Sequence, residues 1–246
     1  MNKTIHLVSD SLQKIVVKSV LKVFRVKEPV RVCKPGGKIP CDEDDTLVVW
    51  HGGDAGSMLL LYYLCKVVPG DLYHIDYSHA DRYAELGGSL VLIGERTIAR
   101  GRFVGSQVLV PEDVKKEAAA HWDRLSQDLN KPLKLKGEDG VIRSYPKDYL
   151  DDWLLGIMKR SLQENDIVTI PLVVGFATGM MARANDDVLT TAFFERRLSK
   201  LARTRNFLKD GQIIDDGSFE SVDNSWLDDD SNEWASYRRW KEQKSQ

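Results

Sequence analysis

The stretch that decides the fold is TLVVWHGGD, which runs from Thr46 to Asp54 of the 246-residue chain. Residues 46–50 are apolar or β-branched and show no polar alternation, which is typical of a strand covered on both faces in the middle of a parallel sheet. The glycines that follow end the strand, and an apolar helix is predicted from about Ala55 to Val67. A buried strand that leads directly into a helix indicates an α/β architecture.

The same strand-to-helix pattern occurs at the N-terminus. Residues 4–9 form a β-rich run, Asp10 and its neighbouring serines can cap a helix, and apolar residues at three- and four-residue spacing predict an amphipathic helix over residues 12–24. Two further strands are predicted over residues 29–33 and 72–76. The order strand, helix, strand, strand, helix, strand predicts a mainly parallel sheet with flanking helices in residues 1–130.

Three weaker β-prone stretches follow the fourth strand. Residues 89–93, 97–99 and 107–110 alternate with glycine and charge, which predicts one or two short hairpins at the edge of the sheet. A helix is predicted from Pro111 to about Leu129 because proline and two acidic residues stand in its first turn.

The C-terminal half is predicted to be helical. After a short hairpin over residues 132–144, helices are expected over residues 147–163, 172–184 and 188–207, and a hairpin over residues 212–222 around Asp215-Asp216-Gly217. This order resembles that of a winged helix, so residues 131–222 are predicted to form a helical domain with a terminal hairpin. Residues 223–246 form an acidic and aromatic tail, part of which is expected to dock.

Composition excludes several broad classes of protein. Hydrophobic residues make up 42% and charged residues 29%, which is ordinary for a globular domain. The net charge of -2 gives no global reason to expect nucleic acid or an anionic membrane as a partner. The N-terminus lacks a basic leader, and the longest apolar run, residues 58–65, is too short to span a bilayer. A cytoplasmic location is therefore expected, with no membrane partner and an oligomeric state that the sequence leaves open.

Loops after neighbouring strands supply the candidate ligand site. In an open parallel sheet, ligands bind beyond the carboxyl ends of the strands, where such loops converge. Glycines let backbone N–H groups approach a ligand, and the starts of the two helices would attract an anion. We therefore expect an anion or another small molecule to bind at this edge, beside the loop of residues 34–37. The predicted ligand-binding residues are Ser9, Asp10, Ser11, His51, Gly52, Gly53 and Asp54.

Several familiar chemistries are disfavoured. Neither G-x-G-x-x-G nor a Walker loop occurs, so no nucleotide cofactor is expected. Residues 52–56 have the outline of a nucleophile elbow around Asp54, but the last histidine of the chain is His121, so no downstream base completes a hydrolase triad. The grouping of His74, Asp76 and His79 is not specific for a metal, and the three cysteines show no C-x-x-C spacing. An enzyme acting on a phosphorylated or carboxylate substrate stays an alternative.

A second alternative is nucleic-acid binding by the last long helix of the C-terminal half. Its cations could neutralise phosphates, whereas Phe193, Phe194, Leu198 and Leu201 take its core face. The acidic residues of the predicted hairpin would repel a phosphate backbone, and an exposed basic helix is often simply solvated, so a structural or protein-interaction role is also open. The candidate nucleic-acid-binding residues are Arg196, Arg197, Lys200, Arg203 and Arg205.

Several stretches, taken in order, resemble a known family. They are residues 5–11, the strand end at residues 49–52, the pair Trp122 and Leu125, and residues 185–187 leading into Glu195-Arg196-Arg197-Leu198 and Gly211. Together they resemble an uncharacterised bacterial two-part family that joins a half of the type called domain of unknown function 1835 to one of the type called domain of unknown function 3658. The resemblance implies an α/β first half and a helical second half, and it implies no activity. Residues 34–45 depart from the family's form.

Overall fold

The computed structural model describes residues 3–52, 54–77, 105–128, 131–137, 139–184, 189, 191–215, 217, 219–227 and 233–245. The chain divides into two compact units, Met1–Leu129 and Asn130–Gln246. The strands predicted over residues 89–93 and 97–99, and the candidate ligands Gly53 and His79, lie outside the described residues.

The N-terminal unit is built on a five-stranded sheet. Its strands are β1 (Thr4–Val8), β2 (Val30–Val32), β3 (Thr46–His51), β4 (Leu72–Asp76) and β5 (Val108–Leu109). Their spatial order is β2-β1-β3-β4-β5. The first four strands pair in parallel, and β5 is antiparallel to β4. The mainly parallel sheet predicted from the unbroken apolar run of β3 is therefore confirmed.

Helices cover both faces of this sheet. They are α1 (Ser11–Val23), α2 (Ala55–Val67) and α3 (Glu112–Gln127). Leu7 and Val49 belong to a core that also includes Leu60 and Ala118, so this face packs against α2 and α3. The opposite face carries a second core, in which residues from β1, β3 and β4 pack against α1; it is made of Val8, Val17, Val20, Leu21, Val30, Val48, Trp50 and Ile75. Alternate residues of each strand thus lie in two separate cores. Both faces of the strands are buried, which explains why the sequence of β3 shows no polar alternation.

The connection from β2 to β3 creates a topological switch point. From β1 the chain passes through α1 to β2 on one side, and then crosses β1 to place β3 on its other side. The carboxyl ends of β1 and β3 are therefore adjacent, while the connections that leave them diverge. Crevices at such points are where open α/β sheets bind ligands.

The C-terminal unit is largely helical. It contains a hairpin of β6 (Leu133–Lys136) and β7 (Ile142–Tyr145), the helices α4 (Asp151–Glu164), α5 (Ile170–Ala184), α6 (Thr191–Thr204) and α7 (Glu233–Ser245), and the short strands β8 (Leu208–Lys209) and β9 (Gln212–Ile213). Thr169, just before α5, forms an antiparallel bridge with Gln212 of β9. No helix in the described part of the chain is long and apolar enough to cross a membrane.

One aromatic core holds the C-terminal unit together. Trp153 of α4 and Phe194 of α6 are fully buried in it, and α7 contributes Tyr237 and Trp240. The ring of Trp153 lies edge-on to that of Tyr237, with centroids 4.9 Å apart. The C-terminal segment therefore docks through three aromatic rings, those of Trp226, Tyr237 and Trp240, because their burial stabilises it more than solvation of its charges would.

The last hairpin lies earlier in the chain than its predicted position at residues 212–222. β8 and β9 pair around Asp210 and Gly211, which both have positive φ angles, of 49° and 79°. Two consecutive residues of positive φ suit the tight turn of a two-residue hairpin, and Asp-Gly is a preferred sequence for it. Residues 216 and 218 of the predicted hairpin lie outside the described residues.

Candidate functional site

The carboxyl end of β1 leads into α1 through Ser9 and Asp10. Asp10 is the N-cap of α1, and its carboxylate accepts a hydrogen bond of 2.8 Å from the backbone N–H of Gln13. The Ser9 hydroxyl donates to the second oxygen of the same carboxylate, at 3.1 Å. Asp10 and Ser11 are exposed. This loop therefore presents a carboxylate to solvent at the edge of the sheet.

The carboxyl end of β3 repeats the arrangement beside it. Asp54 caps α2 and accepts hydrogen bonds from the backbone N–H of Ser57, at 2.9 Å, and from its hydroxyl, at 2.6 Å. The Ser57 hydroxyl oxygen in turn accepts a hydrogen bond of 3.0 Å from the backbone N–H of Gly52. Asp54 is partly exposed, whereas Gly52 is buried.

Gln13 joins the ends of three strands, and sequence reasoning missed it. Its side-chain oxygen accepts a hydrogen bond of 2.6 Å from the backbone N–H of Ser9. Its amide nitrogen donates to the carbonyl of Trp50, at 3.1 Å, and to the hydroxyl of Tyr77, at 2.6 Å. The buried amide thus links the ends of β1 and β3 to the residue after β4. The sequence did contain one signal that could have found Gln13, namely a polar residue on the inward face of an amphipathic helix.

Tyr77 lies directly on Gly52. A Cβ atom built on Gly52 would be 2.4 Å from Cε2 of the Tyr77 ring. The Tyr77 backbone N–H also donates to the carbonyl of His51, at 2.9 Å. Glycine is required at this position because the aromatic ring occupies the space of a side chain. Tyr77 and Gln13 therefore pack together against the ends of β1 and β3 at the switch point.

His51, His74 and Asp76 form a polar group on the α2 side of the sheet. Nε2 of His51 is 2.8 Å from Nδ1 of His74, and the two rings are stacked, with their planes 8° apart. Nδ1 of His51 has no hydrogen-bond partner among the described residues and is 4.0 Å from a carboxylate oxygen of Asp76. His51 is 6% exposed, so this nitrogen is a buried polar atom to which the described residues supply no hydrogen-bond partner.

Burial dominates the protonation of the His51 and His74 rings. It lowers the pKa of His51 below the ordinary value of 6.5, and the Asp76 carboxylate opposes this by favouring the charged ring. Burial also lowers the pKa of His74, with the same opposition from Asp76. At neutral pH both rings are therefore neutral, so one ring donates and the other accepts in the hydrogen bond between them.

The two helix starts already have carboxylate partners. The N–H groups of Gln13 and Ser57, which would attract an anion, are bound by Asp10 and Asp54. The N–H of Gly52 is bound by the Ser57 hydroxyl. These contacts disfavour the predicted anion, because it would have to displace a side-chain carboxylate and would meet its negative charge. Hydrogen-bond donors on a ligand suit this edge better.

Two further predictions for the N-terminal unit concern the loop after β2 and a metal site. The carbonyl of Gly37, in the loop after β2, accepts a hydrogen bond from the Tyr63 hydroxyl of α2. Within the described ranges, no group of three or more histidine, cysteine or carboxylate side chains is placed to hold a metal ion.

The five candidate nucleic-acid-binding cations have two different environments. Arg197 is 7% exposed and forms a bidentate ion pair with Asp151 at the start of α4. It is therefore part of the interior of the C-terminal unit and is not available to a phosphate. The remaining four are exposed, namely Arg196, Lys200, Arg203 and Arg205.

Comparison of the chain with protein-family models, with curated proteins and with solved structures finds no match.

Proposed function

We propose that the N-terminal unit is a binding module for a small molecule that presents hydroxyl or amine donors, with its site at the adjacent carboxyl ends of β1 and β3. The observation that carries the proposal is the switch point itself. It brings the loops of Ser9-Asp10 and of Gly52 to Asp54 to one edge of the sheet, where their connections diverge.

Charge decides which class of ligand suits the site. Asp10 and Asp54 stand at this edge as carboxylates, and their strands are neighbours. Each carboxylate has lone pairs beyond those used in capping, so each can accept a further hydrogen bond. A sugar or nucleoside hydroxyl, or an ammonium group, would meet these acceptors without displacing the helix caps.

The buried Nδ1 atom of His51, to which the described residues supply no hydrogen-bond partner, is a second reason to place function at this edge. A buried polar atom without a partner costs about 1–3 kcal/mol. His51 is the last residue of β3, directly before Gly52. Natural proteins retain such costs chiefly where a site needs them, and strand ends that carry perturbed imidazoles are candidates for function.

The test is a thermal-shift screen of the full chain. The donor arm contains nucleosides, monosaccharides and polyamines, and the anion arm contains inorganic phosphate and sugar phosphates. We expect a compound of the donor arm to raise the melting temperature. Asp10→Asn and Asp54→Asn should weaken this response, because asparagine keeps the helix cap and removes the charge.

Asp44→Asn is the matched control, because Asp44 is an exposed carboxylate in the loop between β2 and β3. It should leave the response unchanged. Shifts from the anion arm alone would contradict the ligand class. A screen without any shift in either arm would count against a binding site here.

We propose nucleic-acid binding by the C-terminal unit as a second candidate function. The order α4, Thr169, α5, α6, β8, β9, with Thr169 bridging β9, favours a winged-helix arrangement in which α6 would enter the groove. Arg196, Lys200 and Arg203 are exposed at four- and three-residue spacing, so they share one face of α6.

Fluorescence anisotropy with labelled duplex DNA tests this candidate. Arg196→Glu with Lys200→Glu should weaken binding and reduce its dependence on salt, since each phosphate contact contributes to the salt slope. Lys131→Glu with Lys147→Glu makes the same change of charge at exposed positions of the same unit and should have little effect. Equal losses in the two double variants would show that only overall charge matters, which would reject α6 as the interface.

A further inference from the structure

The first helix carries an unusual concentration of positive charge. Lys14, Lys18 and Lys22 recur at four-residue spacing on α1, so they form one stripe, which Arg25 and Lys27 extend beyond the end of the helix. No acidic residue occurs between Ser11 and Lys27. Among the residues that the structure describes, none of these five cations has a carboxylate within ion-pair distance. The chain as a whole is almost neutral, so the stripe is a local feature.

This stripe costs stability. Lys14, Lys18 and Lys22 are like charges four residues apart on a helix, and each such pair is unfavourable. A glutamate at Lys18 would replace two repulsions by two attractions. The chain keeps lysine there, and such a local cost is typical of a position used for binding.

An apolar groove runs beside the stripe. A cavity of about 370 Å³ opens between the end of α1 and the start of β2. Its floor is aliphatic, formed by Leu21, Val26 and Val30. Its rim carries Lys18, Lys22, Arg25 and Lys27, together with one acid, Glu28, which is already paired with His6 at 2.6 Å. We call this surface the basic groove.

Large apolar side chains are exposed on the same helix. Ile15 is 62% exposed and Val23 is 54% exposed, and Phe24 at the end of α1 is 37% exposed. Ile15 and Val23 lie eight residues apart and adjoin the stripe of cations. Exposed apolar side chains beside charge are typical of a surface that a partner covers.

We propose that the basic groove binds an acidic segment of a partner polypeptide, with an aliphatic side chain in the groove and flanking carboxylates on its cations. Charge complementarity identifies the partner as an anion. The aliphatic floor distinguishes a polypeptide from a nucleic acid, because the lining contains no aromatic ring on which a base could stack. The groove lies at the amino end of the sheet, where β2 begins, so the proposal is independent of a ligand at the carboxyl ends.

The experiment measures binding of a short fluorescent peptide by anisotropy, using the full chain. The peptide contains glutamates around two leucines four residues apart, and a second peptide has serine in place of both leucines. We expect the leucine peptide to bind, and more tightly at low salt than at high salt. The serine peptide should bind about tenfold more weakly because it leaves the aliphatic floor uncovered.

Lys18→Glu with Lys22→Glu should weaken binding of the leucine peptide at least tenfold, because two attractive charge pairs across the interface become repulsive. Each change is at an exposed position. Lys18→Glu alone also brings an acid within four residues of Lys14 and Lys22, so this single variant should melt no lower than the natural chain. Loss of binding by Lys18→Glu with an undiminished melting temperature therefore cannot come from unfolding.

Lys34→Glu with Lys38→Glu is the matched control, since it makes the same change of charge at exposed lysines of the loop after β2. Binding should be retained. The proposal is overturned if the leucine peptide does not bind, if the two double variants behave alike, or if the serine peptide or a single-stranded oligonucleotide binds as tightly as the leucine peptide.

Discussion

Gly52 shows how one missing side chain positions the candidate site. The Tyr77 ring lies where a Cβ atom would be, and its hydroxyl holds Gln13 across the ends of β1 and β3. The packing of Tyr77 and its hydrogen bond with Gln13 thus both depend on the absence of a side chain at Gly52.

Gly52→Ala should lower the free energy of unfolding by about 1–3 kcal/mol, because the tyrosine ring must move away from the new methyl group. Denaturant unfolding measures this change. Gly70→Ala is the control, since nothing lies within 4 Å of a Cβ at Gly70. A Gly52→Ala variant as stable as the Gly70→Ala variant would show that the ring does not rest on Gly52.

The buried histidines make stability depend on pH. Burial lowers the pKa of His6, His51 and His74 below the ordinary 6.5. Below about pH 6.5 the unfolded chain then binds more protons than the folded chain, so acid favours unfolding. We expect the free energy of unfolding to fall between about pH 7 and pH 5, above the ordinary carboxyl pKa of 3.8.

Urea unfolding across this interval measures the effect, and His74→Gln should reduce the slope because one of the three imidazoles is removed. A free energy of unfolding that stays constant or rises on acidification would contradict the buried, neutral state of these rings.

At the scale of elements, the ion pair of Arg197 with Asp151 joins two helices of the C-terminal unit, since Asp151 begins α4 and Arg197 lies in the middle of α6. The Arg197 side chain is 8% exposed and the Asp151 side chain 19%. The Asp151 carboxylate accordingly raises the pKa of Arg197 above its usual value. Removing one member of such a pair leaves the other charge buried.

Arg197→Ala should therefore lower the free energy of unfolding by about 3–5 kcal/mol. Arg196→Ala, one residue away and exposed, should change it by less than about 0.5 kcal/mol. Chemical denaturation of both variants measures the difference. Similar losses in the two variants would show that helix propensity, and not the ion pair, accounts for the effect.

The elements differed in how far the sequence predicted them. The unbroken apolar run of β3 placed the parallel sheet, and the capping residues around Asp10 placed the start of α1, because these signals are local. The final hairpin was predicted around residues 215–217, whereas β8 and β9 pair around the earlier Asp-Gly at residues 210–211, and β9 also bridges Thr169, which is distant in sequence. Arg197 was grouped with exposed cations because helical spacing alone does not reveal a partner 46 residues away.

The candidate site shows the same division. Its loops could be named from the sequence, because strand order predicts which ends are adjacent. The contacts of Gln13 with Trp50 and Tyr77 could not, since they join residues 37 and 64 positions apart. The capping of α2 by Asp54, and the hydrogen bonds that link Gly52 through Ser57 to Asp54, also required the three-dimensional arrangement, and the proposal of a donor ligand rests on them.

At the scale of the whole molecule, each unit has its own core. The clusters around Leu60 and Trp50 contain only residues of the N-terminal unit, and the cluster around Trp153 contains only residues of the C-terminal unit. A unit with its own core can fold alone. A fragment of residues 1–129 should therefore unfold cooperatively in denaturant, as followed by circular dichroism. A gradual transition would show that this core is not sufficient.

The most direct test of the proposed ligand site is two-dimensional amide NMR of the full chain, titrated with compounds of the donor arm. A binding compound should shift the backbone amides of Ser9, Gln13, Gly52 and Ser57, which surround the switch point, and should leave those of the C-terminal unit in place. Shifts confined to residues 130–246, or none across the donor arm at millimolar concentrations, would contradict a site at the ends of β1 and β3.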